Sequence, residues 1–327
     1  MNFLKNNFFY FKKINKKSII KYKSQYNKKK IFISCFKINN KKKEKNKVLK
    51  LMENKTDINL IYKTNFEGNI RLFGSNFVEN NKNNIELIIN GIKSELVEKF
   101  QLQKGNNNVQ LIIKNKLTDL SKMFKDTKEL INIEGLKCIN VENCTNFEEM
   151  FDSCESISNI KPLENWNVSN GTNFNFMFRC CNKLSDIKPL ENWNVSNGKD
   201  LSGVFNFCES LSDIKPLEKW NVSNCIDISS MFENCNSISD IKPLENWNVS
   251  NVTDFSGMFS GCQLISDIKP LENWNVSNCK NFSSMFYKCK KLSDIKPLQK
   301  WKISKNANVK LMFDLCSKSL DLKELGI

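Results

Sequence analysis

Four kinds of residue recur in this chain at one interval, 27 residues, without a slip. Trp stands at 166, 193, 220, 247, 274 and 301 and nowhere else, and Pro at 162, 189, 216, 243, 270 and 297 and nowhere else. Phe marks 124, 151, 178, 205, 232, 259, 286 and 313, and Cys marks 154, 181, 208, 235, 262, 289 and 316. A fixed period of this length identifies an array of stacked units, each burying its apolar face against its neighbours. The unit reads F-S-x-M-F-x-x-C-x-x-L-S-D-I-K-P-L-E-N-W-N-V-S-N. A degenerate first copy keeps Leu120, Met123, Phe124, Thr127 and Leu130 in register, with Gly135 in the Pro place and Ile139 in the Trp place. The array therefore occupies residues 117–327 as about eight repeats of 27 residues.

Within a repeat, Phe255, Met258, Phe259 and Cys262 fall at i, i+3, i+4 and i+7, which predicts a helix of about two turns with one apolar face. Asp254 and Asn281 precede such runs as expected N-caps. Helices this short are marginal alone, so stacked copies must bury the stripe together. Trp274 and Val276 alternate with Asn273, Asn275 and Ser277, the period of a half-buried strand, and stacked copies predict a narrow parallel sheet. Lys269 before Pro270 is expected to be extended. The fold class expected is an α/β repeat solenoid.

Residues 52–116 read differently. Ile58–Tyr62, Asn69–Phe73, Ile85–Ile89 and Val109–Ile113 are apolar or β-branched runs separated by FEGN, NNKNN and KGNNN, a small β-rich module that caps the array. Residues 1–51 are rich in Lys and Asn with little periodicity and are expected to form a disordered basic extension. Met52 is the only Met between Met1 and Met123 and stands where composition changes, so it is an expected alternative start of translation.

The net charge of +15 is concentrated: residues 1–50 hold 17 Lys against Glu44 alone, leaving residues 51–327 at −1. Clustered positive charge is what nucleic acid or acidic lipid requires, so such partners are expected only through residues 1–51. The absence of His removes Ser-His-Asp and Cys-His catalysis and His-containing zinc sites. No C-x-x-C pair occurs among the 13 Cys. No enzyme activity, cofactor, metal or small-molecule substrate is expected. A secretory leader needs an apolar core of roughly 7–15 residues, and only Phe8 to Phe11 approach one. No apolar run reaches the ~18 residues of a membrane span. These features favour a cytoplasmic location.

The Cys column closes the apolar stripe of each repeat, where a thiol acts as a small hydrophobe, so a buried ladder of free thiols is expected. Cys144, Cys225 and Cys279 share a second column with Gly171 and Val252. Asn-Val-Ser at 167, 194, 221, 248 and 275 has the form of a glycosylation sequon, but its recurrence points to backbone groups satisfied at a turn. The six Trp are expected to pack as a stack. Where repeats differ, a partner has something to read. One column runs Asp152, Arg179, Asn206, Glu233, Ser260, Tyr287, Asp314, and the next Ser153, Cys180, Phe207, Asn234, Gly261, Lys288, Leu315. Arg179, Phe207, Glu233, Tyr287 and Lys288 are the candidate partner contacts.

The pattern M-F-x-x-C-x-x-L, followed by a short extended stretch and W-N-V-S-N, resembles the BspA-type leucine-rich-repeat surface proteins. Their consensus places Met-Phe, Gly-Cys, Leu, an aromatic and Asn-Val-Thr in this order. Met258, Phe259, Gly261, Cys262, Trp274 and Asn251-Val252-Thr253 stand in those places. The resemblance covers residues 117–327. It implies a leucine-rich-repeat-like, right-handed stack of short parallel strands and short helices. It further implies protein binding or adhesion at a cell surface, with no catalytic residues. The function expected is a non-catalytic protein-protein interaction or adhesion scaffold with an unknown protein partner. The alternative is a membrane-surface or nucleic-acid-associated protein acting through its basic tail.

Overall fold

The strands in front of the array follow from period-two burial. Ile85, Leu87 and Ile89 face the core while Glu86 and Ile88 between them do not, the alternation of a half-buried strand. A computed structural model describes residues 9–14, 17–22, 31–33, 57–317, 320 and 322–325. The chain divides into two units, Met1–Lys55 and Thr56–Ile327.

In the first unit, β1 (Phe9–Ile14), β2 (Lys17–Tyr22) and β3 (Ile31–Ile33) pair antiparallel in that order. The expectation of disorder thus meets regular pairing where the Phe- and Ile-containing runs lie. The rest of the basic extension, Met52 included, lies outside the described residues.

The second unit begins with β4 (Asp57–Thr64), β5 (Gly68–Arg71), α1 (Ser75–Asn81), β6 (Ile85–Ile89), β7 (Ile92–Glu95), β8 (Lys99–Leu102) and β9 (Gly105–Ile113). β10 (Leu130–Asn132) already belongs to the first repeat. One antiparallel sheet has the order β10-β4-β9-β6-β7, and β5 pairs with β8 in a second. The four predicted strands are present as β4, β5, β6 and part of β9. β7 and β8 escaped prediction because their side chains are largely exposed, so no apolar alternation marks them.

The predicted boundary at 116/117 is not a physical one. β10 pairs with β4, so the first repeat and the module share a sheet. Two glycines permit the close approach. A Cβ on Gly135 would lie 2.2 Å from the Asn59 backbone nitrogen, and one on Gly74 would lie 2.1 Å from the Lys122 carbonyl oxygen. Gly74 N–H donates to the Met123 carbonyl (3.2 Å), satisfying an acceptor that no earlier repeat is there to satisfy.

The array repeats a coil whose inward residues are those predicted and whose backbone is not. Phe147, Met150, Phe151 and Cys154 are buried, as are their counterparts in each coil up to Cys289; in the last coil Met312 and Phe313 are buried and Val309 and Cys316 half-buried. The segment is nevertheless a run of tight turns and not a helix. Met150 N–H returns to the Phe147 carbonyl (3.2 Å) and Cys154 N–H to the Phe151 carbonyl (3.1 Å). The third residue of each turn, Glu149 (φ 52°) or Ser153 (φ 60°), is left-handed, the type II pattern. Two left-handed residues per coil rule out a continuous α-helix. The alternate amides point along the stack: Phe147, Glu149, Phe151 and Ser153 donate to the carbonyls of Asn173, Asn175, Met177 and Arg179, each at 2.8 Å. These bonds between coils offset the strain of a left-handed non-glycine residue, ~1–2 kcal/mol each.

Parallel pairing is displaced from its predicted place. The Trp-Asn-Val-Ser stretch forms no strand. Single-residue parallel bridges instead link Asp119, Asn146, Asn173, Asp200, Asp227, Asp254, Asn281 and Asn308 in succession. These are the residues expected as N-caps, and they do bond locally: Asp254 Oδ1 accepts the Ser256 N–H (2.7 Å) and Asn281 Oδ1 the Ser283 N–H (3.1 Å). The named strands pair only antiparallel. The Lys-Pro-Leu steps are short 3-10 turns, as at Lys269–Leu271, so Lys269 is helical where Pro270 predicted extension. Asp267 Oδ1 accepts the Lys269 N–H (2.8 Å), holding the turn entry in place.

Aromatic columns run through the stack. The rings of Phe124, Phe151, Phe178, Phe205, Phe232, Phe259, Phe286 and Phe313 follow one another at 5.4–6.0 Å. Trp166 stacks on Trp193 at 6.4 Å and Trp274 on Trp301 at 6.5 Å. Each such buried side chain contributes about 1.5–3 kcal/mol, with ring stacking adding ~0.5–1.5 kcal/mol.

Candidate functional site

On the outer side of the turn segment, the first variable column forms two rungs, each joining a pair of coils. Asp152, fully buried, receives Arg179 through two bonds, Nε to Oδ1 (2.8 Å) and Nη2 to Oδ2 (2.6 Å). Lys125 Nζ lies 3.5 Å from Asp152 Oδ2. The bond to Asp152 raises the Arg179 pKa further, and the guanidinium also covers the Phe176 ring at 4.7 Å. Arg179 is thus a rung of the stack, satisfied within the chain. In the next rung Asn206 Nδ2 donates to Glu233 Oε2 (3.0 Å).

The ladder then stops. Ser260 is too short to reach either neighbour, and Gly257 (φ 63°) and Gly261 (φ 76°) carry no side chain. The missing rung leaves an open depression of ≈ 410 Å³ across three coils. Glu233 and Asn234 stand on one side, Tyr287 and Lys288 on the other, and Ser260 lies between them. Lys288 Nζ sits 5.0 Å over the Tyr287 ring. Three of the five predicted contacts, Glu233, Tyr287 and Lys288, therefore line one depression. Arg179 and Phe207 do not; Phe207 is 40% exposed elsewhere on the same side of the stack. Ser260, Asn234 and Gly257 were not singled out from sequence. Their signal was there as a run of small residues in columns that elsewhere hold large ones.

The thiol column has a polar role beyond packing. Cys181, Cys208, Cys235, Cys262 and Cys289 Sγ each lie 3.0–3.2 Å from the Phe carbonyl of the preceding coil. That carbonyl also accepts the amide of its own coil's Cys, as Phe205 does from Cys208 at 3.0 Å. The thiol thus satisfies a second acceptor lone pair that water cannot reach. Burial raises the pKa of these thiols well above the ordinary range, to about 12 for Cys154, and does the same for Cys225 in the second column. They stay protonated and unreactive at neutral pH. All 12 described Cys are free.

The Asn-Val-Ser-Asn stretch works as predicted. Asn194 Oδ1 accepts the Ser196 N–H (3.1 Å), and Asn224 Nδ2 donates to the Ser196 carbonyl one coil back (2.8 Å). Trp Nε1 groups do the same, Trp220 donating to the Leu190 carbonyl at 3.0 Å.

A family described as "Mycoplasma protein of unknown function, DUF285" matches twice, over residues 94–214 and 199–323. The chain belongs to the DUF285 family. The first DUF285 match begins inside β7, so it includes part of the capping module, as the shared sheet would lead one to expect. No curated protein and no solved structure matches the chain. Among the described residues no helix is long and apolar enough to cross a membrane.

Proposed function

We propose that this DUF285 chain is a non-catalytic interaction protein whose array serves as a binding scaffold. The observation that carries the reading is the convergence of Glu233, Tyr287 and Lys288, positions where coils differ, around one depression. The invariant Phe, Trp, Cys and Val are accounted for by packing and coil-to-coil hydrogen bonds, which supports the variable face as the part that recognises. The BspA-type resemblance supports a leucine-rich-repeat-like, right-handed stack and, as a variant, protein-mediated adhesion at a surface.

A photo-crosslinking residue at position 287, compared in living cells with the same residue at exposed position 218, tests this. Discrete adducts from position 287 alone are expected. No adduct at 287, or equal adducts at both, would overturn the reading.

The lopsided charge favours a second reading, attachment to acidic lipid or nucleic acid through residues 1–51. Binding to anionic vesicles or duplex DNA that weakens steeply with salt and vanishes on deletion of residues 1–51 would support it. Binding unaffected by that deletion would remove it.

A further inference from the structure

The depression around Ser260 has the chemistry of a particular ligand class. Its floor carries a side chain with unused hydrogen-bonding capacity. Ser260 is 6% exposed and lines the depression, and its hydroxyl has no hydrogen-bond partner among the described residues. The hydroxyl opens onto the depression and is not sealed from it, so both its donor and its acceptor capacity are available to a ligand. Its counterparts in the column show what normally fills that place: Asp152 holds Arg179, and Glu233 holds Asn206.

The walls add both hydrogen-bonding polarities at nearly balanced charge. Glu233 supplies a carboxylate of which one oxygen already accepts from Asn206. Asn234 supplies an amide, Tyr287 a phenol and Lys288 an ammonium. One acid and one base lie opposite each other, so an anion such as a phosphate gains no net field. Apart from the Tyr287 ring the lining offers no large apolar side chain, which disfavours a hydrophobic peptide anchor or lipid chain. A ligand whose groups both donate and accept, several per ring, satisfies such a lining. The volume of ≈ 410 Å³ falls near the lower end of the ~300–1,000 Å³ typical of small-ligand clefts.

We infer that the depression is a saccharide subsite, taking one or two neutral sugar units at the place of the missing rung. The inference rests on the interaction reading above and specifies what the variable face recognises. A ring hydroxyl bonds Ser260, vicinal hydroxyls bond Glu233 and Asn234, and Tyr287 with Lys288 closes the far side.

The test uses the full chain and a panel of free neutral sugars: glucose, galactose, mannose, N-acetylglucosamine, lactose and maltose. Saturation-transfer NMR is expected to show contact with at least one of them. Titration should show affinity falling roughly tenfold or more in Glu233→Gln and in Tyr287→Ala, the loss of one charge-assisted bond or one ring contact. Ser260→Leu, which fills the floor, should abolish binding, while Lys183→Ala on another coil leaves it unchanged. Circular dichroism on each variant checks folding, and the two wall variants keep the test valid if Ser260→Leu misfolds. Silence across the whole panel overturns the proposal, as does binding equal in wild type and both wall variants. Crosslinking at position 287 without sugar binding removes the saccharide and keeps the scaffold. Sugar binding without crosslinking does the reverse.

Discussion

At the scale of single residues, the array is held by groups that do two things at once. The thiols pack as hydrophobes and donate to a carbonyl one coil back. The Trp rings stack in two pairs, Trp166–Trp193 and Trp274–Trp301, and not as one column of six, while all six donate from Nε1; the Asn amides turn the chain and tie it to its neighbour. Two predictions follow from the thiols. Under native conditions iodoacetamide should label exposed Cys138 rapidly and Cys180 and Cys316 slowly, and it should reach the buried column only after unfolding. Peptide mass mapping against time checks this; rapid native labelling of Cys235 or Cys262 would contradict it. The second concerns pH. The buried thiols have folded pKa values raised from about 9, to about 12 for Cys154, Cys225 and Cys279. Groups raised in this way stabilise the fold fully below the unfolded value and lose that contribution as pH climbs through the folded one. Unfolding midpoints in urea should hold to near pH 8 and decline steadily from about pH 9 to 12. Substituting column thiols with Ala should flatten that decline.

At the scale of elements, the decisive contact is where the capping module meets the first coil. Gly135 has no room for a Cβ because backbone atoms of Ile58 and Asn59 occupy the space. Backbone in a paired strand cannot swing aside as a side chain can. Gly135→Ala should therefore break the β10–β4 pairing and destabilise the protein by about 2–4 kcal/mol. Hydrogen exchange should show faster exchange in β4 before the later coils respond. Gly257→Ala is a milder case. A left-handed Ala costs about 1–2 kcal/mol, and its Cβ would stand 3.0 Å from Ser230 Oγ. It should narrow the depression while leaving the far-ultraviolet spectrum unchanged.

At the scale of the molecule, each coil touches mainly its two neighbours, so length is adjustable in whole units only. Excision of residues 219–245, one full period from within the array, should give a folded protein of lower stability, because the new junction rejoins every column in register. Removing about half that length should abolish cooperative unfolding, since the Phe, Trp and Cys columns would no longer meet. Circular dichroism melts of the two deletions distinguish these outcomes. A half-period deletion that melts as cooperatively as the parent would refute the account.

Which residues face inward was determined by sequence alone. The column of Phe124 through Phe313, the thiol ladder, the turn role of Asn-Val-Ser and four strands of the module were all legible there, because burial repeats with the period that writes it. The five candidate contacts are departures from that period, and the structure places three of them, Glu233, Tyr287 and Lys288, on one depression. The backbone path was decided only by tertiary structure. Spacing of i, i+3, i+4, i+7 places side chains on one face of a helix, but a ribbon of tight turns presents the same face. The choice lies in left-handed residues such as Glu149, Ser153 and Cys180, whose identities do not announce a positive φ. Neighbouring coils stabilise those conformations by accepting the outward amides, and no single repeat contains its neighbour. The missing rung is likewise a property of the stack. Ser260 is an ordinary residue in its own coil, and it marks a depression only because Glu233 lies one coil before it and Tyr287 one coil after.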